Sequence, residues 1–182
     1  ADSVSGEIRA SIGSPDIFDA RRDGYVDMTA RPRSPGSALK PLIYALAFDA
    51  GLAHPETLIE DRPVAFGGYS PKNFDGGFHG TVTARQALQM SLNIPAVELT
   101  DAISPARLIA YLKQSGAKPV VPGGPPGLAV ALGGLGITLE DLVQAYAGLA
   151  EGGVGVDLHW REGAACVLCG RRLMRAESAW QV

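Results

Sequence analysis

Arg33-Ser34-Pro35-Gly36-Ser37-Ala38-Leu39-Lys40-Pro41-Leu42-Ile43-Tyr44 is the stretch from which the fold reads outward. Leu39, Leu42, Ile43, Leu46 and Ala50 recur at helical spacing, and Ala45, Ala47 and Phe48 fill the other azimuths. A helix apolar nearly all round is a buried one. The spacing therefore predicts a central helix from Ser37 to Ala50, stopped by Gly51. Pro35-Gly36 puts Ser37 in the first turn, where backbone N–H groups have no intrahelical partner and can bind an anion or an oxyanion. Pro41 is too deep for the first helical position and crowds the carbonyl of Ser37, so a tight or distorted first turn is expected. Ser37 and Lys40, three apart, share a face. A serine becomes a nucleophile beside a base, and a lysine serves when burial or a second cation keeps its amine partly neutral. The stretch has the parts for acyl transfer through a serine ester.

Ser-x-x-Lys alone is a weak signal, since roughly one chance match is expected in a chain of this length. Ser115-Gly116-Ala117-Lys118 is such a match. Its glycine stands where a helix ends, and lysines are common near helix C-termini, so it reads as structural.

Composition narrows the classes. Of the 182 residues, 46% are hydrophobic and 19% charged, enough apolar material for a core. The formal net charge of −3 gives no reason to expect nucleic acid or an anionic membrane as partner. No apolar run approaches a membrane span, so any targeting segment is expected outside these residues. Cys166 and Cys169 are the two cysteines. With His159 as the one nearby third ligand they make a poor zinc site. A local disulfide is the next alternative, and two unremarkable thiols are the reading the spacing favours.

Along the chain, Glu7-Ile8-Arg9-Ala10-Ser11-Ile12 alternates by two between glycines and predicts a strand. Residues 14–36 are polar and irregular. Residues 52–82 read as a long loop, rich in Gly, Pro and aromatics, and loops of that length are often functional. Within it, Tyr69 to Gly77 could line a cleft or cover the core. Thr83-Ala84-Arg85-Gln86 fits a capping box opening a short helix to about Met90. A second helix follows from Ile94-Pro95 to about Ala102, and a third opens at Ser104-Pro105 and stops at Gly116. Residues 117–127, with four prolines and three glycines, are a loop. Gly133-Gly134-Leu135-Gly136 lacks the Lys-Ser/Thr ending and the preceding strand of a phosphate loop. Thr138 caps a helix ended by Gly152-Gly153. Residues 154–175 are short extended pieces and turns, and Ala176 opens a last helix.

Ser91-Leu92-Asn93 falls between two helices. A hydroxyl there can relay a proton, and an amide can hold a substrate carbonyl or a lysine, although capping is the commoner use of both. Paired with Ser37 and Lys40, it matches two of the three elements of serine β-lactamases and penicillin-binding proteins, Ser-x-x-Lys, Ser-x-Asn and Lys-Thr-Gly. The resemblance extends further. Arg33 to Tyr44 resembles the acyl-serine segment of class A penicillin-binding proteins. Tyr69-Ser70-Pro71-Lys72-Asn73-Phe74-Asp75-Gly76-Gly77-Phe78-His79-Gly80 resembles the segment before their second motif, Arg85 to Val97 the second motif itself, and Gly134 to Leu142 the helix start after it. The likeness covers nearly all of the chain and is greatest to the 1C type.

The resemblance implies an α+β, mostly helical part of a penicillin-binding protein/β-lactamase-like transpeptidase fold, occupying residues 1–182 with most sheet strands missing. It implies a peptidoglycan D,D-transpeptidase that cross-links stem peptides through an acyl-serine and is acylated by β-lactams. Ser37 would be the nucleophile, Lys40 its base, Ser91 the relay, and Asn93 the contact to substrate amide and lysine. Tyr69 and Asn73 are candidate substrate contacts. No cofactor, metal or nucleic acid is implied. The setting would be the bacterial periplasm or cell envelope, with an inner-membrane anchor outside these residues.

Lys-Thr-Gly is absent. The four lysines are Lys40, Lys72, Lys113 and Lys118, and none precedes Thr-Gly or Ser-Gly. The expectation is a piece of a longer domain, cut before the third-motif strand and by itself nearly inactive, with strand 7–12 exposed for homodimer pairing. The alternatives are a non-catalytic binding or scaffold module of the same fold, and a β-lactamase or β-lactam sensor.

Overall fold

The computed structural model describes residues 1–160 and 168–182. Its helices are α1 (Lys40–Asp49), α2 (Ala84–Gln89), α3 (Asn93–Ile103), α4 (Pro105–Gln114), α5 (Leu139–Ala150) and α6 (Ala176–Trp180). Short 3₁₀ turns occupy Ala20–Arg22, Met28–Ala30, Gly36–Leu39 and Leu128–Leu132. Strands β1 (Leu58–Asp61) and β2 (Gly80–Thr83) form an antiparallel pair, with Leu58 opposite Thr83 and Asp61 opposite Gly80.

Helix α1 is the centre. Eight of its ten residues are buried, against seven of eleven in α3, its main packing partner. It also touches α2, α4 and α6. The expected distortion at its start is present. Gly36–Leu39 turn as 3₁₀, and the Lys40 N–H donates to the Ser37 carbonyl three residues back. Pro41 is the cause, since it has no N–H to donate to Ser37 and its ring is easier to place in the first α-turn than in the middle of a helix. The helix-end signals hold as well. Thr83 and Gln86 make a reciprocal capping box, Ser104 caps α4, and Thr138 caps α5 through the Asp141 N–H.

Three expectations need correction. The 52–82 segment is not all loop. Leu58 to Asp61 alternate exposed and buried, which lets Ile59 and Val82 reach the core while β1 and β2 pair. Four-residue strands carry too little period to be seen beside so many turn residues. Conversely, residues 7–12 form no strand. Among the described residues, Glu7 makes a single parallel bridge with His159, and Ile12 is 81% exposed. Alternation matches a strand only where a partner backbone supplies the ladder. A single bridge leaves the expected edge-to-edge homodimer without its strand. Cys169 is disulfide-bonded rather than a free thiol. Cys166 lies outside the described residues.

The apolar glycine-rich segment has a packing role. Arg33 and Ile137 exchange backbone hydrogen bonds of 2.9 and 3.0 Å, and the Ser34 hydroxyl donates to the Gly133 carbonyl at 2.7 Å. Gly133 has φ +91°, and a Cβ there would stand 2.5 Å from the Gly36 nitrogen. Only glycine lets the two backbones come this close. Tyr146 of α5 adds a third strut, its hydroxyl donating to the Ala38 carbonyl at 2.7 Å.

Leu46, 3% exposed in the middle of α1, reports on this core. Leu46→Ala is expected to cost about 2–5 kcal/mol in urea unfolding, the range for large-to-small core changes. A loss under about half a kcal/mol would mark α1 as a surface element.

Candidate active site

Lys40 enters the interior because it stands at the first position of a buried helix. It is 1% exposed. A buried ammonium requires acceptors, and all three of its hydrogen bonds go to the turn between α2 and α3. Nζ donates to the Ser91 carbonyl, to Ser91 Oγ at 3.1 Å and to Asn93 Oδ1 at 2.7 Å.

The backbone of that turn is made for this. Ser91 has φ +55°. It occupies the left-handed position that ends α2, with its N–H on the Leu88 carbonyl and the Leu92 N–H on the Ala87 carbonyl, both at 2.9 Å. This is the six-residue Schellman closure, in which glycine is the usual occupant. A serine there carries backbone strain. The reversal turns the Ser91 carbonyl onto Lys40 and keeps the hydroxyl within reach of Nζ, while the residue as a whole stays exposed.

The structure thus brings together three of the four residues singled out from the sequence. The fourth, Ser37, adjoins Lys40 along the chain. It is exposed, one 3₁₀ turn before Lys40, and tied to it through the backbone. Side chains three apart in such a turn lie over one another. Among the described residues, no hydrogen bond joins Lys40 Nζ to the Ser37 hydroxyl. By contrast, Ser115 of the second Ser-x-x-Lys match is buried and donates to the Leu112 carbonyl at 2.8 Å, while Lys118 is exposed, as a structural element would be.

Of the two expected substrate contacts, Asn73 lies inside the protein. It is 6% exposed and fully engaged behind Asn93, accepting the Asn93 N–H at 2.8 Å. A loop asparagine reads as open from sequence, and only its neighbours bury it. Tyr69 is half-buried against the core, its backbone paired with Phe66, and no hydrogen bond among the described residues ties it to Lys40, Ser91 or Asn93. Sequence reasoning missed Asp61, which holds Asn73, and the Lys72 carbonyl, which accepts from Asn93 Nδ2 at 2.7 Å. The one available signal was the Tyr69–Gly77 segment itself.

Burial pushes the Lys40 ammonium down from its ordinary 10.5 to about 8. At pH 7 a group of that pKa is neutral in about one molecule in ten, several hundred times more than an exposed lysine. The amine can therefore take a proton at neutral pH, which a nucleophile at Ser37 would require.

A match to the penicillin-binding protein transpeptidase domain family spans residues 1–165, and the chain belongs to that family. It is 42% identical over 180 residues to penicillin-binding protein 1C of Escherichia coli strain K12, covering 98% of this chain and 23% of that protein. It is 36% identical over 152 residues to penicillin-binding protein 1F of Bacillus subtilis strain 168, covering 82% of this chain and 20% of that one. The chain thus spans roughly a fifth to a quarter of these relatives. Its fold is similar to that of the penicillin-binding protein PonA1 of Mycobacterium tuberculosis, with TM-score 0.73, 20% identity and cover of 92% of this chain and 48% of that one. It is also similar to PonA1 in complex with penicillin V, with TM-score 0.71 and 22% identity. The architecture is therefore that of a transpeptidase domain in part, helical with one small sheet among the described residues.

The depressed Lys40 pKa sets a stability window. The unfolded chain binds the lysine proton up to about pH 10.5 and the folded chain only up to about 8. The penalty is complete below pH 8 and is relieved as pH rises through that interval. Unfolding free energy of the parent, relative to Lys40→Met, is expected to rise by up to about 3 kcal/mol across the window. Urea titrations at several pH values check it, and a flat difference would refute the depressed lysine.

Proposed function

We propose that this chain carries the acyl-serine site of a peptidoglycan D,D-transpeptidase of the bacterial cell envelope. The observation that carries the reading is a buried Lys40, held by Ser91 and Asn93, one turn from an exposed Ser37 at a helix start that no side chain caps among the described residues. Family membership supports the reaction class, and PonA1 bound to penicillin V supports β-lactams as ligands.

In this reading the neutral Lys40 amine takes the Ser37 hydroxyl proton as Oγ attacks the carbonyl carbon between two D-alanines of a stem peptide. The Ser37 N–H at the helix start faces the developing oxyanion. The C–N bond then breaks, and Ser91 passes the proton from Lys40 to the departing amine. The acyl group stays on Ser37 as an ester until an amine of a neighbouring stem attacks it and restores the hydroxyl. Asn93 steadies Lys40 and meets the substrate amide. A β-lactam enters the same first step, but its leaving amine stays tethered to the acyl group, so the ester persists. In the envelope setting, membrane attachment would come from outside the described residues, whose helices include none long and apolar enough to cross a membrane.

Labelling with a fluorescent penicillin tests the reading in the full gene product and in the 182-residue chain. In the gene product, Ser37→Ala is expected to abolish labelling, and Lys40→Ala to slow it by about 10²–10⁴, the range for a lost general base. The 182-residue chain alone, which has no Lys-Thr-Gly element, is expected to label at least about 10²–10³ more slowly, the cost of one lost oxyanion donor. Undiminished labelling of Ser37→Ala would sink the assignment.

A further inference from the structure

Asp61 sits at the end of β1 with 0% exposure and, among the described residues, no cation as partner. A carboxylate buried without a counter-charge is costly and is kept only where N–H donors surround it. Its two oxygens face Asn73 Nδ2 at 2.9 and 2.8 Å, and Oδ2 also accepts the His79 N–H at 2.8 Å. Asn73 Nδ2 donates in addition to the Gly77 carbonyl at 3.0 Å. One amide face is thus surrounded by acceptors.

That arrangement fixes which way the Asn73 amide points. If it were flipped, its oxygen would meet the Asp61 carboxylate and its NH₂ would meet the Asn93 N–H, losing every bond at once. The carboxylate therefore forces Asn73 Oδ1 towards Asn93, where it accepts the N–H at 2.8 Å. Asn93 is the first residue of α3, and the preceding Leu92 offers no side-chain cap. Asn73 supplies that cap from twenty residues away. The neighbouring Lys72 carbonyl takes Asn93 Nδ2 at 2.7 Å, which leaves Asn93 Oδ1 for Lys40 at 2.7 Å. The series Asp61, Asn73, Asn93, Lys40 is continuous, with Asp61, Asn73 and Lys40 buried and Asn93 half-buried.

We propose that Asp61 and Asn73 are positioning residues for the acyl-serine reaction, a buried pair that holds Asn93, and through it Lys40, in the reactive arrangement. The proposal rests on the functional reading above. Neither residue touches substrate; their effect is on the rate of acylation and not on binding of the acyl donor. The small β1–β2 sheet then has a defined purpose, which is to carry Asp61 into the interior behind the site.

The test uses the full gene product. Asp61→Asn removes the charge at constant shape, and Asn73→Ala removes the cap. Leu112→Ala, in the remote helix α4, controls for general loss of stability. Rapid-mixing acylation by penicillin separates the acylation rate constant from the dissociation constant of the preceding complex. Both variants are expected to lose about ten- to a hundredfold in the rate constant, the scale of a misplaced reacting group, with the dissociation constant held within about threefold. Hydrogen exchange of the Asn93 amide is expected to accelerate by about tenfold or more in both, and not in Leu112→Ala. Rate constants within about threefold of the parent, or a loss matched by Leu112→Ala, would overturn the pair. Should Asn73→Ala not fold, the isosteric Asp61→Asn decides. Should Ser37→Ala label like the parent, the functional reading falls, and Asn93 exchange alone decides the pair: unchanged protection in Asp61→Asn and Asn73→Ala overturns it.

Discussion

The constraint on which the rest depends is the burial of one lysine amine. Helix α1 is apolar on nearly every side, so its first residue is drawn under the surface with the others. An ammonium there must find oxygen acceptors or lose its proton. The turn between α2 and α3 meets the first need with three acceptors. The burial partly meets the second, bringing Lys40 down to about 8. The two effects oppose each other, and their balance leaves a lysine that is both held in place and able to accept a proton at neutral pH.

Much of the surrounding structure serves that arrangement from two sides. On the Ser37 side, Gly133, Ile137 and Tyr146 clasp the backbone of residues 33–38. The 3₁₀ turn they hold sets Ser37 at the surface directly before the buried Lys40. On the Asn93 side, β1, β2 and the loop between them bring Asp61, Lys72 and Asn73 against the start of α3. Local stability is given up at Ser91, a non-glycine residue in the left-handed region. Replacing it with glycine would relieve the backbone but remove the hydroxyl that faces Lys40. Conflicts between local preference and global structure are expected to gather at functional positions, and Ser91 is one.

Several features were legible because their causes are local. The central helix follows from the azimuths of its apolar residues. The capping box at Thr83 and Gln86, the Ser104-Pro105 start and the Thr138 cap each act within one helical turn. Ser-x-x-Lys and Ser-x-Asn were visible as spacings, and their family resemblance gave them meaning. The misread elements depend on distant partners. Residues 7–12 alternate like a strand yet make one bridge, while β1 and β2 stabilise each other across the loop that separates them. The burial of Asn73 was not legible either, because nothing beside it in sequence reveals that Asp61 and Asn93 enclose it.

The sequence by itself determined where helices start and stop, that α1 is buried, and which residue types could make an acyl-serine site. Only the tertiary structure decided what Lys40 bonds to and which groups stand behind it. The physical reason is range. Caps, turns and helical periodicity act over three or four residues, and a single segment contains both partners. The bonds that define the site span 51 and 53 residues from Lys40 to Ser91 and Asn93, and 20 from Asn73 to Asn93. Hydrogen bonds of that reach exist only once the packing of α1 against α3 has brought the separate segments within about 3 Å of each other.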